Sequence, residues 1–176
     1  MERTVDGVRI EVIQGDITSQ GDVNAIVNAA NAQLESGGGV AGAIHQAASS
    51  GLVEEARPLA PIQPGEAVVT GGYDLPNRYV IHTLGPVYGS DEPEAELLAD
   101  CYRNSLGLAE ERDIDSLAFP ALSTGAFGYP LEEATEVALS TVVEEAQKLQ
   151  NVRLIRFVLF SEEDLEVYER VLSKLL

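Results

Sequence analysis

From Val8 to Ile13 apolar and polar positions alternate, with Val8, Ile10 and Val12 on one side, which predicts a half-buried strand. Asp6-Gly7 just before it is a tight-turn pair, so Met1–Val5 is expected to pair antiparallel with that strand. Asp22–Asn28 predicts a short buried strand, and the alanine-rich Val40–Ala48 a helix. Glu66–Gly72 and Arg78–Thr83 predict two further strands, joined through a turn containing Pro76-Asn77. Between Glu94 and Arg112, Leu97, Leu98, Cys101, Tyr102, Ser105, Leu106, Leu108 and Ala109 recur at helical spacing. Ser116–Pro120 is an apolar strand. Pro130, Glu132 and Glu133 then suit the first turn of a helix reaching about Leu149. Arg153–Phe160 predicts the last strand, and Ser161-Glu162-Glu163-Asp164 resembles a capping box for a helix through Leu175.

Strands alternate with helices after an antiparallel start. That order predicts an α/β fold with a mixed, mostly parallel sheet covered by helices on both faces. No repeat or linker divides it, so residues 1–176 are expected to form one domain. Ligands of such sheets bind beyond the carboxyl ends of the strands.

No apolar run approaches the ~20 residues that span a bilayer, and the first residues lack the marks of a signal peptide. One cysteine, Cys101, allows no internal disulfide, and two histidines leave few ligands for zinc. The expectation is a cytoplasmic protein with no membrane partner, no metal and no separate cofactor. The net charge of −18 changes the picture of its partners. So acidic a surface repels nucleic acid and anionic lipid, and opposes self-association, so a monomer is expected. The same self-repulsion weakens the folded state at low salt, which fits a salt-rich cytoplasm.

Two glycine-rich loops carry the candidate chemistry: Ser36-Gly37-Gly38-Gly39-Val40-Ala41-Gly42 and Ser123-Thr124-Gly125-Ala126-Phe127-Gly128. Each runs into a helix-like stretch, offering backbone N–H groups and the positive end of a helix dipole, which is equipment for holding phosphate. No lysine or arginine lies between Arg9 and Arg57 or between Arg112 and Lys148. Any phosphate is therefore expected to rest mainly on backbone amides, and two loops suit a ligand with two phosphates. A Rossmann redox enzyme is disfavoured, because no Gly-x-Gly-x-x-Gly follows the first strand.

Five blocks in order resemble the macrodomain family: Gly15-Asp16-Ile17-Thr18, Ala25–Asn31, Gly37–Val40, Tyr79–Pro86 and Ala118–Gly125. The resemblance implies a three-layer α/β/α fold that binds ADP-ribose, free or on a modified protein, and in some members hydrolyses it. It implies that Asp16 contacts the adenine amino group and that Ile17 offers its N–H to the ring. Asn31 would orient the distal ribose and is the candidate catalytic residue, whereas Asn28 is expected to be structural. Gly37, Gly38, Gly39 and Val40 would wrap the diphosphate and distal ribose. Ser123, Thr124, Gly125, Ala126 and Phe127 would close the other side, with the Phe127 ring over the ribose and Phe160 stacked on adenine. Read without the family, Asp16 could be a cap and Phe160 plain core.

His45, His82 and Cys101 are expected to be structural. Ala41 stands where one hydrolase branch has Asp, Ser36 where some have His, and Ser161 where many have Asp. Removal of ADP-ribosyl esters or of a 1″-phosphate, and non-catalytic reading of ADP-ribose, are the two readings that follow. A nucleic acid would enter only as an ADP-ribosylated end.

Overall fold

A computed structural model describes residues 1–176. The strands are β1 (Glu2–Val5), β2 (Val8–Gln14), β3 (Ala25–Ala29), β4 (Ala67–Gly71), β5 (Tyr79–Thr83), β6 (Ser116–Phe119) and β7 (Leu154–Leu159). The helices are α1 (Gly39–Ala48), α2 (Ser50–Ala56), α3 (Glu94–Glu111), α4 (Leu131–Ala146) and α5 (Glu162–Leu175). All strands join one sheet in the order β1-β2-β7-β6-β3-β5-β4. The five inner strands are mutually parallel, and β1 and β4 run antiparallel at the two edges. Helical crossovers permit parallel neighbours, whereas β1–β2 and β4–β5 are linked by short turns that reverse the chain.

Alternation along the strands separates two cores. In β3, Ala25 and Val27 join the large cluster with Leu98, Leu106, Leu139 and Leu172 of α3, α4 and α5. Ile26, between them, meets Ile44, Ala48 and Leu52 of α1 and α2 on the opposite face. The sheet is thus covered on both sides, as its buried central strands require. Arg156 interrupts the apolar run of β7 yet is only 8% exposed. It forms a two-bond fork with Asp22 (2.8 Å each) and reaches Glu11 and Gln20. A paired guanidinium of this kind is what makes a buried charge tolerable.

The expected elements are present with ends shifted by up to three residues. β3 starts at Ala25 rather than Asp22, and Pro130 precedes α4 instead of entering it. Ser161 caps α5, accepting from the Asp164 N–H at 3.1 Å. The second antiparallel edge and α2 were not expected. At seven residues, α2 is too short for helical periodicity to show.

Candidate functional site

Because the inner strands are parallel, the segments following β2, β3, β5, β6 and β7 emerge along one rim. A cleft of about 400 Å³ opens there, its walls formed by both glycine loops. Asn31, Gly37, Gly38, Gly39 and Val40 line it from one side, and Ser123, Gly125, Ala126 and Phe127 from the other. Thr124 belongs to the second loop but lies off the wall.

The loops present unpaired donors. The N–H groups of Gly37 and Gly38, and those of Thr124, Gly125, Ala126 and Phe127, make no hydrogen bond to the backbone. Gly38 sits at the N-cap of α1 with no side chain to close the first turn, which leaves that positive end open. The second loop is held from behind by Tyr129 N–H to Ser123 O (2.9 Å) and Gly128 N–H to Gly125 O (3.0 Å). The Ser123 hydroxyl is buried without a partner. None of the fifteen lining residues carries a charge.

Asn31 also holds its own loop. Its Nδ2 donates to Glu35 O (2.8 Å) and its Oδ1 accepts from Glu35 N–H (3.0 Å). Each amide atom keeps one more hydrogen-bonding valence, so Asn31 can brace the loop and address a ligand together. Phe127 lines the cleft but also packs on Ala30, Leu34, Ala56, Ile62 and Leu84, a small core that sequence reading did not foresee beneath this loop.

Asp16, Ile17 and Phe160 stand outside the cleft walls, farther along the rim. β2 lies between β1 and β7, so Asp16 is one strand in from the sheet edge. Asp16 Oδ1 accepts from Thr18 N–H (2.8 Å) and Thr18 Oγ1 (2.7 Å), the capping arrangement that its sequence also allowed. Those bonds hold its carboxyl below the usual carboxylate range. Gln20 Nε2 donates to Asp16 O and Gln20 Oε1 accepts from Arg156, so the turn is tied down to β7. Ile17 is buried. Phe160 is 91% exposed, which excludes core packing. Gly15 N–H to Leu159 O (3.0 Å) fixes its base beside the Asp16 turn.

His82 and His45 belong to the scaffold behind the cleft. The Asn28 amide faces His82 Nδ1 (3.0 Å), and His82 Nε2 faces Thr70 Oγ1 (2.9 Å), which also lies 3.0 Å from Gly71 O. The contacts form a relay in which Asn28 donates to Nδ1, Nε2–H donates to Thr70, and Thr70 donates to Gly71 O, while Asn28 Oδ1 stays buried without a partner. Burial pushes the His82 pKa down to about 3, with the nearby His45 ring adding to the effect. His82 is therefore neutral at physiological pH. Cys101 is buried and its thiol is pushed up to about 11, chiefly by desolvation.

Sequence reasoning did not single out Gly85 or the Glu35 backbone. A Cβ on Gly85 would meet the Ser123 hydroxyl, so the β5 end lies close against the second loop and a larger residue there would turn that hydroxyl aside. The signal was Gly85 itself, within the Tyr79–Pro86 block.

Known proteins resemble this chain in sequence and in fold. The Macro domain family profile matches residues 27–138. A macro domain-containing protein of Chlorobaculum tepidum is 50% identical over 96% of this chain and 98% of its own length. An O-acetyl-ADP-ribose deacetylase of Klebsiella pneumoniae is 48% identical over 94% of this chain and 97% of its own. A mutant Oceanobacillus iheyensis macrodomain, solved with ADPR, superposes with a TM-score of 0.95 at 39% identity, covering 99% of this chain and 97% of that one. With the profile, the relatives and the three-layer fold in agreement, this chain belongs to the macrodomain family.

Proposed function

We propose that this chain binds ADP-ribose, free or protein-linked, and hydrolyses ADP-ribosyl esters. The observation that carries the reading is the pair of glycine loops facing each other across one cleft with unpaired N–H groups and no cation. Such a site suits a diphosphate held by backbone. Gly37–Val40 and Ser123–Phe127 grip the two phosphates, Asn31 and Phe127 take the distal ribose, and the exposed Phe160 ring stacks on adenine. Asp16 keeps Oδ2 for the adenine amino group, because its bonds to Thr18 use Oδ1. The relative named O-acetyl-ADP-ribose deacetylase supports ester cleavage.

In that reaction a water oxygen bonds to the acyl carbon as the bond from that carbon to the ribose oxygen breaks. The water proton passes through a phosphate oxygen of the substrate to the departing ribose hydroxyl. Asn31 and the loop amides contribute positioning and charge stabilisation. The protein works as a single-domain monomer, its net charge of −18 opposing self-association.

One observation favours a second reading. No side chain on the cleft wall titrates, and Ala41 offers no carboxylate, which suits a module that reads ADP-ribose without cleaving it.

The deciding experiment measures release of acetate from O-acetyl-ADP-ribose and of ADP-ribose from a glutamate-linked protein, in molar KCl. The expected result is turnover by the parent that collapses in Asn31→Ala and falls in Phe127→Ala. Binding of ADP-ribose without turnover of either ester establishes the reader. Absence of binding refutes both.

A further inference from the structure

A second hollow, of about 510 Å³, lies behind the first glycine loop, and Gly37 lines both. The partition between them is one thickness of backbone. Gly37 O lies so near Gly42 that a Cβ there would come within 2.3 Å of it. Ser36, Gln46, Ser49 and Ser50 surround the hollow, with His45 at its base. His45 is 7% exposed, and its Nε2 is buried without a hydrogen-bond partner.

The lining differs from that of the cleft: it is made largely of hydroxyl, amide and imidazole side chains, from Ser36, Ser49, Ser50, Gln46 and His45. Its flanks are acidic: Glu35 adjoins Ser36, Glu54 adjoins Val53, and Asp74 accepts from the Ser49 hydroxyl. Neutral donors and acceptors match the N–H and C=O groups of a peptide main chain, and flanking carboxylates match basic side chains. His45 Nε2 is itself closed to solvent, so the groups that meet a ligand are those of Ser36, Gln46, Ser49 and Ser50.

We infer that this hollow is an acceptor subsite, which takes the polypeptide segment carrying the ADP-ribosyl group and favours segments with basic flanks. The inference rests on the ADP-ribose reading, which puts the distal ribose against Asn31 and Gly37. Whatever is attached to that ribose leaves the cleft beside Gly37. A peptide extends past the partition into the hollow, whereas an acetyl group is too short to reach it.

The test compares free ADP-ribose with a peptide bearing one ADP-ribose through a non-hydrolysable amide and flanked by lysines, by calorimetric titration of the parent. Two or three main-chain hydrogen bonds lead to roughly tenfold tighter binding of the peptide. Gln46→Trp, from an exposed position on α1, fills the hollow and removes this advantage while leaving the affinity for free ADP-ribose unchanged. Ser50→Tyr does the same from α2, which guards against one variant failing to fold. Equal affinity of the parent for the two ligands overturns the inference, as does equal weakening of both ligands in the variants. A parent that binds neither ligand overturns the ADP-ribose reading, and the subsite with it.

Discussion

Replacing Phe160 by alanine separates binding from folding more cleanly than any change in the cleft. The ring is 91% exposed, so its loss removes no packed contact of consequence and stability should move by no more than ~0.5 kcal/mol. Stacking of an aromatic side chain on a base is worth ~1–3 kcal/mol. Here the base of the ring is fixed: Leu159 O accepts from Gly15 N–H at 3.0 Å, and Phe160 O from Gln14 Nε2 at 3.4 Å. The middle of that range, about 2 kcal/mol, corresponds to a roughly thirtyfold weaker Kd. Calorimetry with ADP-ribose measures it, thermal denaturation confirms the unchanged fold, and Phe160→Tyr retains affinity. Ribose 5-phosphate, which lacks adenine, should bind both proteins alike. An unchanged Kd for ADP-ribose, or equal losses for the two ligands, would refute the placement of adenine on this ring.

Gly42→Ala drives a methyl into Gly37 O and displaces the partition. A loss of ~1–3 kcal/mol in stability is expected, read as a lower melting temperature, together with weaker ADP-ribose binding. His82 stays neutral in the folded state down to about pH 3, while the unfolded chain takes up its proton near 6.5. The unfolded state thus binds more protons between those values, and this group removes ~2 kcal/mol of stability from pH 7 to pH 5. Urea denaturation at the two pH values should show a smaller drop for His82→Gln than for the parent. Affinity for dianionic ADP-ribose should rise from low to molar KCl, because salt screens the −18 net charge and there is no cation in the cleft to be screened. A calorimetric affinity that falls with salt would contradict that account. The melting temperature should rise over the same range.

Local structure was legible where one physical signal dominated. The alternation of Val8, Ile10 and Val12 and the spacing of Leu98, Tyr102 and Leu106 placed β2 and α3 nearly to the residue. Features decided by distant partners were not. Strand order depends on pairings such as Gln14 with Leu159, which leave no local trace. Arg156 looks like an error in an apolar strand until Asp22, Glu11 and Gln20 are brought around it. Sequence could offer core or stacking for Phe160, and only its place just past the end of β7, where the ring is exposed, decides between them. Asn31 stood out as an amide after a strand, but its reciprocal bonds to Glu35 require the loop to double back.

The same contrast explains why ligand binding could be read more firmly than catalysis. The chemistry of this cleft resides in backbone, and the sequence records backbone only through glycine. Those glycines divide by what a Cβ would meet. At Gly42 it would strike the backbone Gly37 O, so the folded chain itself demands glycine, whereas at Gly85 it would meet the Ser123 hydroxyl, which can turn away. At Gly38 and Gly125 no protein atom lies within 4 Å, and both residues line the cleft. Nothing in the protein opposes a side chain at Gly38 or Gly125; a diphosphate lying against the bare amides would. On the proposed ADP-ribose reading the open pair answers to the ligand, whereas the crowding at Gly42 belongs to the fold of the first loop.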